Sequence, residues 1–336
     1  MSPPAPFPWP PRPLPEGPRR HLLDLDDFDR AEIETYLATA EAMREILRRA
    51  TPKTPALTGR TIVNLFFEES TRTRVSFEIA GKRLNADVVN VSAAGSSVQK
   101  GESLVNTVRT LDAAGADIIV LRHPAAGAAH LAAAHVRGSV INAGDGWHAH
   151  PTQALLDLLT IRDAFGRVDG VRVVIVGDIL HSRVARSNLW GLTTMGAVVT
   201  VCGPPTLLPS ALPAGLPAPV RVEHNLDRAI EGAEVVMALR LQRERMAAGR
   251  LPSLREYSRL YQINDARLAR AQPDVLVLHP GPMNEGVEID TATAHGQRSA
   301  IEDQVTNGVA VRMAVLHLLS GGAPASRTPE AATRRA

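Results

Sequence analysis

The chain has 336 residues, 44% hydrophobic and 21% charged, and its 37 basic and 35 acidic side chains leave a formal net charge of +2. This length exceeds what one small core usually serves, so two domains are expected. A nucleic-acid-binding protein would carry a stronger, clustered positive charge, so no nucleic acid partner is expected. No apolar run approaches the roughly 20 residues of a membrane span, so no membrane partner is expected either.

The cysteine content and the two ends of the chain exclude further classes of protein. A single cysteine, Cys202, excludes a disulfide within the chain and a cysteine-based metal cluster, which fits a cytoplasmic protein. Residues 1–20 are rich in proline and lack the apolar stretch of a signal peptide. We expect a disordered, extended arm there, with a recognition role as the weaker alternative, and a disordered tail over 321–336.

Short β-branched apolar runs alternate with helical patterns along the chain. The first series of predicted strands covers 61–67, 87–91, 117–121 and 139–143. The second series covers 171–177, 197–202, 234–239 and 274–279. Uninterrupted Val and Ile runs are typical of strands buried on both faces, and hence of parallel sheets covered by helices. The alternation predicts an α/β fold with two doubly wound parallel-sheet domains.

Two helical patterns set the expected domain limits. A helix beginning at Pro151 precedes the second series of strands and should join the two domains. A last helical stretch over 302–320 follows the final strand, and we expect it to pack back on the first domain. The predicted domains are therefore residues 21–152 with 302–320, and residues 153–301.

The segment Phe-Phe-Glu-Glu-Ser-Thr-Arg-Thr-Arg (66–74) lies where a buried strand ends and a helix starts, at about Ser70. A helix N-terminus presents unpaired N–H groups and a positive dipole end, and arginine matches the geometry of a phosphate. Ser70 alone would indicate only an N-cap. Together with the arginines it predicts a phosphate site at the carboxyl end of a strand, where open α/β sheets bind ligands.

Two later segments add polar groups at strand ends. Arg122 directly follows a predicted strand, so it can point into a ligand crevice. In 142–158 a Gly-rich turn leads into a helix whose start is flanked by His150 and Gln153. His148 and His150 also form a His-x-His pair of the kind that binds zinc. No second matched cluster accompanies the pair, so no metal site is predicted.

The segment 91–103 is rich in small residues and is typical of a mobile loop. The strand at 171–177 meets a turn and a helix, as in dinucleotide-binding proteins. However, Gly177 stands there without the Gly-x-Gly-x-x-Gly pattern. A nicotinamide enzyme is therefore disfavoured, and no cofactor is predicted.

Over about residues 20–320 these motifs resemble the aspartate/ornithine carbamoyltransferase family. The resemblance implies transfer of a carbamoyl group from carbamoyl phosphate to the α-amine of L-aspartate, giving N-carbamoyl-L-aspartate and phosphate in pyrimidine biosynthesis. It implies that carbamoyl phosphate binds Ser70, Thr71, Arg72, Thr73, Ser96, Lys100, Arg122, His150 and Gln153. It implies that aspartate binds Lys100, Arg183, Arg240, Gln242, Pro280 and Gly281. The residues expected to act in catalysis are Thr73, Lys100, Arg122 and His150.

The identity of the acceptor amine rests on two features. Two separate arginines suit a dicarboxylate, because each can pair with one carboxylate. Ornithine carbamoyltransferases carry a cysteine after the histidine at 279, where this chain has Pro280. The resemblance therefore favours aspartate. A carbamoyltransferase for ornithine or another amine, and a non-catalytic assembly subunit, are the alternatives.

The resemblance also has consequences for assembly. In the family, the residues that match Ser96 and Lys100 reach the active site of a neighbouring subunit, which implies a homotrimer with shared sites. The form Pro-Gly-Pro-Met-Asn (280–284) resembles members that lack regulatory chains or associate with dihydroorotase. Two residues depart from the expected pattern, Glu69 beside the phosphate segment and Gln99 before Lys100.

Overall fold

A computed structural model describes residues 18–92, 102–241 and 253–322, which form two compact units. The described part of the N-terminal unit is 18–92, 102–156 and 306–322, and that of the C-terminal unit is 157–241 and 253–305. Three predicted site residues lie outside the described residues, namely Ser96, Lys100 and Gln242. Most of the proline-rich arm and of the C-terminal tail also lies outside them.

The N-terminal unit contains a four-stranded parallel sheet in the order β2-β1-β3-β4. Its strands are β1 Thr61–Phe66, β2 Asp87–Ser92, β3 Ile118–His123 and β4 Ser139–Asp145. Its helices are α1 Arg30–Leu47, α2 Thr71–Arg83, α3 Leu104–Ala113 and α4 Ala128–Ala133. Every residue of β4 is buried although β4 ends the sheet order. The residue Leu22 covers that edge, since its N–H donates to the Val140 carbonyl at 2.9 Å.

Two helices carry the chain between the units, α5 Pro151–Phe165 and α11 Ile301–Leu319. The later turns of α11 pack on the N-terminal unit, as the sequence predicts. Asn307 accepts a hydrogen bond from Arg44 of α1 at 3.0 Å. Arg312 donates to Ser76 of α2 at 2.9 Å, and its guanidinium lies 5.2 Å from the centre of the Phe77 ring.

The C-terminal unit contains a five-stranded parallel sheet in the order β7-β6-β5-β8-β9. Its strands are β5 Arg172–Val176, β6 Val198–Cys202, β7 Arg221–Glu223, β8 Val235–Ala238 and β9 Leu276–Leu278. Its helices are α6 Arg183–Thr194, α7 Leu226–Ala229, α8 Leu254–Tyr261, α9 Asp265–Leu268 and α10 Thr291–Ala294. The predicted fold of two parallel α/β sheets is confirmed, and β7 is a strand that the sequence did not predict. No helix within the described residues is long and apolar enough to cross a lipid bilayer.

The strand order reverses at one point in each sheet. In the N-terminal unit the chain steps from β1 outward to β2 and returns to β3 on the other side of β1. In the C-terminal unit it steps from β5 to β6 and β7 and returns to β8 on the other side of β5. Open α/β sheets bind ligands outside the carboxyl ends of the strands at such switch points. The topology therefore places one candidate ligand site in each unit.

Candidate active site

The first switch point is formed by the ends of β1 and β3. Phe66 and Arg122 are register partners, and the N–H of Phe67 donates to the Arg122 carbonyl at 2.8 Å. The helix α2 starts four residues later, with Ser70 as its N-cap. Within the described residues the Ser70 side chain makes no capping hydrogen bond, although capping is the usual role of a serine there. The predicted phosphate segment thus lies beside Arg122, with Thr71 and Arg72 exposed and Thr73 buried.

Arg122 is held in place by its neighbours. Its side chain is 14% exposed, and its Nε lies 3.4 Å from Oε2 of Glu68. Its Nη1 donates to the carbonyl of Ala143 on β4 at 3.2 Å. The carboxylate that faces this arginine is therefore Glu68, whereas Glu69 is exposed. A guanidinium oriented from two sides is preorganised to donate to an anion.

His150 and Gln153 are placed by the turn between β4 and α5. His150 directly precedes α5 and is only 4% exposed, and Gln153 is buried in the first turn of that helix. The N–H of Gln153 donates to the His150 carbonyl at 3.0 Å. Three of the predicted donors, Thr73, Arg122 and His150, therefore lie at or after the carboxyl ends of three neighbouring strands and are largely removed from water.

Asp145, the last residue of β4, organises this turn. Its Oδ1 accepts from Asn142 Nδ2 at 2.8 Å and from the Ala149 N–H at 3.1 Å. Its Oδ2 accepts from the Gly127 N–H at 2.7 Å and lies 3.1 Å from Nδ1 of His148. Burial alone would raise the pKa of Asp145, but the hydrogen bonds from His148, Asn142 and Gly127 outweigh it and lower that pKa. Asp145 is thus an ionised anchor for the turn.

The same cluster brings together three groups that metals favour. His130, Asp145 and His148 offer ligand atoms that lie within 4.8 Å of one another, a convergence that the His-x-His pair at 148 and 150 did not predict. His148 Nδ1 lies 3.2 Å from Oδ1 and 3.1 Å from Oδ2 of Asp145, so each oxygen of Asp145 faces at least two donor nitrogens, which uses both of its lone pairs. The geometry therefore favours a proton on His148 Nδ1 over a shared metal ion.

The second switch point carries two arginines. The N–H of Leu239 donates to the Val176 carbonyl at 2.8 Å, which holds the end of β8 beside the end of β5. Arg240 comes directly after Leu239 and is therefore held at the same place. The connection after β5 leads to Arg183, the first residue of α6, which is buried. Arg240 is half-buried. Two of the predicted aspartate ligands, Arg183 and Arg240, thus follow the two strands that flank the reversal of strand order.

The approach to Arg183 is shaped by a buried pair that the sequence did not predict. His181 Nδ1 lies 2.8 Å from Oδ1 of Asp178, and the His181 backbone N–H donates to the same oxygen at 3.2 Å. Ser182 then caps α6 by accepting from the Ala185 N–H at 3.1 Å. These contacts fix the turn that starts α6 and therefore the position of Arg183.

A turn at His279–Pro282 follows β9, the neighbour of β8. Gly281 has φ 59°, a conformation that favours glycine, and the bond to Pro282 is cis. The Gly281 N–H donates to His279 Nδ1 at 2.8 Å, so His279 Nε2 carries the proton that faces Glu288 Oε1 at 3.2 Å. The Asn284 N–H donates to the same oxygen at 2.6 Å. His279 and Glu288, both buried, hold the turn that presents Pro280 and Gly281.

A chain of buried hydrogen bonds supports this turn from behind. The His279 N–H donates to Gln304 Oε1 at 2.9 Å, and Gln304 Nε2 donates to Asp157 Oδ1 at 2.7 Å. Asp157 also accepts from Asn188 Nδ2 at 2.8 Å. These residues belong to α5, α6 and α11, so one network joins three helices to the turn. A histidine before Pro-Gly-Pro and an acid inside Val-Glu-Ile are the sequence signals that could have indicated His279 and Glu288.

Replacing Gln304 with leucine should destabilise the C-terminal unit and weaken its turn. The change leaves the His279 N–H and a buried Asp157 oxygen without this partner, at about 1–3 kcal/mol for an unsatisfied buried group. Urea unfolding measures the loss of stability. Gln262→Leu is the matched control, because Gln262 donates at 2.8 Å to the Gly286 carbonyl on the surface. Equal stability of the two variants would contradict a supporting role for the network.

Comparison with known proteins agrees with this architecture. The chain matches the aspartate/ornithine carbamoyltransferase carbamoyl-P binding domain over residues 20–163 and the Asp/Orn binding domain of the same family over 169–319. The chain therefore belongs to the aspartate/ornithine carbamoyltransferase family, and the predicted resemblance is confirmed.

Within the family, the chain is similar to proteins named for aspartate. It is 63% identical over 304 residues to the aspartate carbamoyltransferase catalytic subunit of Roseiflexus sp. (strain RS-1), covering 90% of this chain and 96% of that protein. Aspartate transcarbamoylase from Trypanosoma cruzi in complex with N-(phosphonacetyl)-L-aspartic acid superposes with a TM-score of 0.81 at 34% identity, covering 89% of this chain and 95% of that one. Ornithine carbamoyltransferase from Pyrococcus furiosus superposes with a TM-score of 0.80 at 30% identity, covering 90% and 98%.

Proposed function

We propose that this chain is an aspartate carbamoyltransferase, which transfers the carbamoyl group of carbamoyl phosphate to the α-amine of L-aspartate. The observation that supports the proposal is that side chains of two different kinds lie at the two switch points. Hydroxyl and guanidinium groups surround the end of β1, where a phosphate fits, and Arg183 and Arg240 flank the reversal between β5 and β8, where a dicarboxylate fits.

The proposed chemistry needs no enzyme nucleophile. The neutral α-amine of aspartate attacks the carbonyl carbon of carbamoyl phosphate, a C–N bond forms, and the carbonyl oxygen becomes an oxyanion. Thr73, Arg122 and His150 donate to that oxygen where the negative charge develops. The C–O bond to phosphate then breaks, and phosphate leaves with the proton of the amine. The burial of Thr73 and His150 supports this role, because donors removed from water stabilise charge more strongly.

The remaining predicted site residues are assigned to the other groups of the two substrates. Ser70, Thr71 and Arg72 bind the phosphate at the start of α2, and Gln153 lies toward the carbamoyl nitrogen. The backbone carbonyls at Pro280 and Gly281 accept from the amine of aspartate. Ser96, Lys100 and Gln242, outside the described residues, are proposed to contact the substrates as well.

Aspartate is favoured over ornithine by the chemistry of the second switch point. Arg183 and Arg240 offer two cations at neighbouring strand ends, which suits two carboxylates and disfavours a side-chain ammonium group. The Roseiflexus relative at 63% identity is named an aspartate carbamoyltransferase, which supports the same acceptor. The ornithine enzyme of Pyrococcus furiosus shares the fold but only 30% of the sequence.

The direct test is phosphate release from carbamoyl phosphate by the purified full chain, with L-aspartate and L-ornithine compared as acceptors. We expect release with aspartate and formation of N-carbamoyl-L-aspartate, identified by mass spectrometry. Release only with ornithine would keep the family and overturn the assignment of Arg183 and Arg240. No release with either amine would favour the alternative of a non-catalytic assembly subunit.

We further propose that the chain assembles as a homotrimer in which Ser96 and Lys100 complete the site of a neighbour. Exposed apolar side chains support an interface on the N-terminal unit. Val75 and Ile79 lie one turn apart on α2, and Val89 lies on β2 at the end of the sheet order, and all three are exposed in the single chain. Apolar side chains grouped on a helix and an edge strand suit burial against a second copy.

Mixing two inactive variants tests the shared site. Lys100→Ala and Arg240→Ala chains are each expected to be nearly inactive alone. Randomly mixed trimers should recover about one quarter of wild-type turnover, because each mixed trimer contains one site with both residues intact. The matched control mixes each variant with itself and repeats the denaturation and renaturation step. Unchanged activity in the mixture would contradict sharing between chains.

A further inference from the structure

His148 takes no part in the proposed reaction, yet both of its ring nitrogens face buried carboxylates. Nδ1 lies 3.1 Å from Asp145 Oδ2, and Nε2 lies 3.4 Å from Asp24 Oδ2. Asp24 and Asp145 are 2% and 1% exposed, so neither carboxylate can rely on water for its hydrogen bonds. The histidine therefore lies between two anions at short range.

The number of protons in this arrangement follows from the chemistry of imidazole. A neutral ring carries one N–H and one lone pair, so it can donate to only one of two carboxylates. The other contact would then oppose a lone pair and a buried anion unless Asp24 kept a proton of its own, and imidazole is ordinarily the stronger base of the two groups. An imidazolium donates from both nitrogens and offsets one of the two buried charges.

The contacts around this histidine join the turn before α5 to the N-terminal segment of the chain. The His148 backbone N–H donates to the Asp145 carbonyl at 2.9 Å, so the ring and the backbone bind the same residue. On the other side, Asn142 donates to the Leu23 carbonyl at 2.9 Å, next to Asp24. The ring of His148 therefore connects Asp24, in the N-terminal segment, to Asp145 at the end of β4. His150 lies two residues after His148 in the same turn.

We propose that His148 is held as an imidazolium between Asp24 and Asp145, and that this bridge positions His150. His148 and Asp24 are thus positioning residues that act through the turn between β4 and α5. The effect on carbamoyl transfer rests on the proposed function, whereas the protonation of the ring and the order of the turn do not.

The other charged and titratable groups around the bridge set its dependence on pH. His130 of α4 packs edge-on against the His148 ring with the ring centres 5.5 Å apart, and Asp26 acts on Asp24 through its charge. Burial raises the pKa of Asp24 to about 7; His148 opposes that rise, and Asp26 adds to it. Because the Asp24 carboxyl group takes up a proton more readily than an ordinary aspartate, the Asp24–His148 pair should hold one proton at lower pH. The pair should lose that proton, and the bridge with it, as the pH rises.

Histidine-selective ¹⁵N NMR of the full chain tests the bridge without relying on activity. The His148 and His150 signals are assigned with His148→Asn and His150→Asn. At about pH 6 we expect protons on both nitrogens of His148. On raising the pH, the His150 signal should move together with the loss of one His148 proton. In Asp24→Asn the His150 signal should stay in place, since an amide can either accept from Nε2–H or donate to its lone pair.

Two further variants and an activity assay complete the test of the bridge. Asp26→Asn should move the same midpoint to lower pH, and it serves in place of Asp24→Asn if that variant does not fold. His135→Asn, which removes a half-buried histidine of the same unit that lies outside the bridge, should change nothing. In the carbamoyl transfer assay the ratio of wild-type to Asp24→Asn turnover should fall about tenfold between pH 6 and pH 8.5. The proposal would be overturned by a neutral His148 ring at pH 6 or by a stoichiometric zinc ion in the purified protein. It would also be overturned by a His150 signal that moves with pH in Asp24→Asn as it does in the wild type. Failure of both acceptor amines would instead overturn the proposed function, with the NMR result still deciding the bridge.

Discussion

Replacing Arg122 with alanine should lower the turnover of carbamoyl transfer about 10²–10³-fold, the usual cost of one oxyanion donor. The guanidinium is held by the Ala143 carbonyl and by Glu68, so it needs no reorganisation when charge develops on the substrate. The substitution also leaves Glu68 without this cation beside the proposed phosphate position, which adds repulsion of the substrate. Steady-state kinetics with both substrates varied separates the loss in turnover from any loss in binding.

The matched control for this variant is Arg60→Ala. Arg60 pairs with Asp117 at 2.7 Å, but its side chain is 51% exposed and lies at the other end of the same sheet. An exposed ion pair contributes about 0–1 kcal/mol to stability, so Arg60→Ala should fold and retain its turnover. Arg122→Lys should fall between the two, because it keeps the charge but loses the planar fork. Wild-type turnover in Arg122→Ala would remove Arg122 from the chemistry.

The strands that the sequence reveals are those buried on both faces. β4 is recognisable because all seven of its residues are buried, and such strands favour uninterrupted apolar runs. β7 could not be predicted in the same way, because its residues Arg221, Val222 and Glu223 are not buried and it pairs with β6 at the edge of the sheet. An edge strand of three residues depends on the neighbouring strand for its existence, and local sequence carries little trace of that dependence.

The residues of the candidate site likewise differ in how far the sequence alone predicts them. Arg122 and Arg240 directly follow apolar runs, so the same short segment of sequence predicts both the end of a strand and the side chain that can bind a ligand there. The partners that orient them depend on packing. Glu68 and Glu69 are identical neighbours, and only the fold decides that Glu68 faces Arg122. The contact between Gln304 and Asp157 joins residues 147 positions apart, which no local pattern encodes.

Replacing Arg240 or Arg183 with alanine should raise the KM for aspartate about 10–100-fold and leave the KM for carbamoyl phosphate nearly unchanged. A hydrogen bond to a charged group contributes about 1.5–3 kcal/mol, and about 1.4 kcal/mol corresponds to a tenfold change in affinity. The split between the two KM values is expected because both arginines belong to the C-terminal unit, whereas the proposed phosphate ligands belong to the N-terminal unit. Initial rates at saturating concentrations of the second substrate measure each KM.

Arg228→Ala is the matched control, because Arg228 is an exposed arginine of α7 in the same unit. The two test variants should also differ from each other. Arg183 is buried at the start of α6, so its loss should lower stability as well as affinity, whereas the half-buried Arg240 should affect affinity alone.

Succinate, which keeps both carboxylates but lacks the amine, should lose affinity in parallel with aspartate in both variants. If either variant instead weakened carbamoyl phosphate and spared both dicarboxylates, that arginine would belong to the phosphate site and the proposed division of ligands between the units would be wrong.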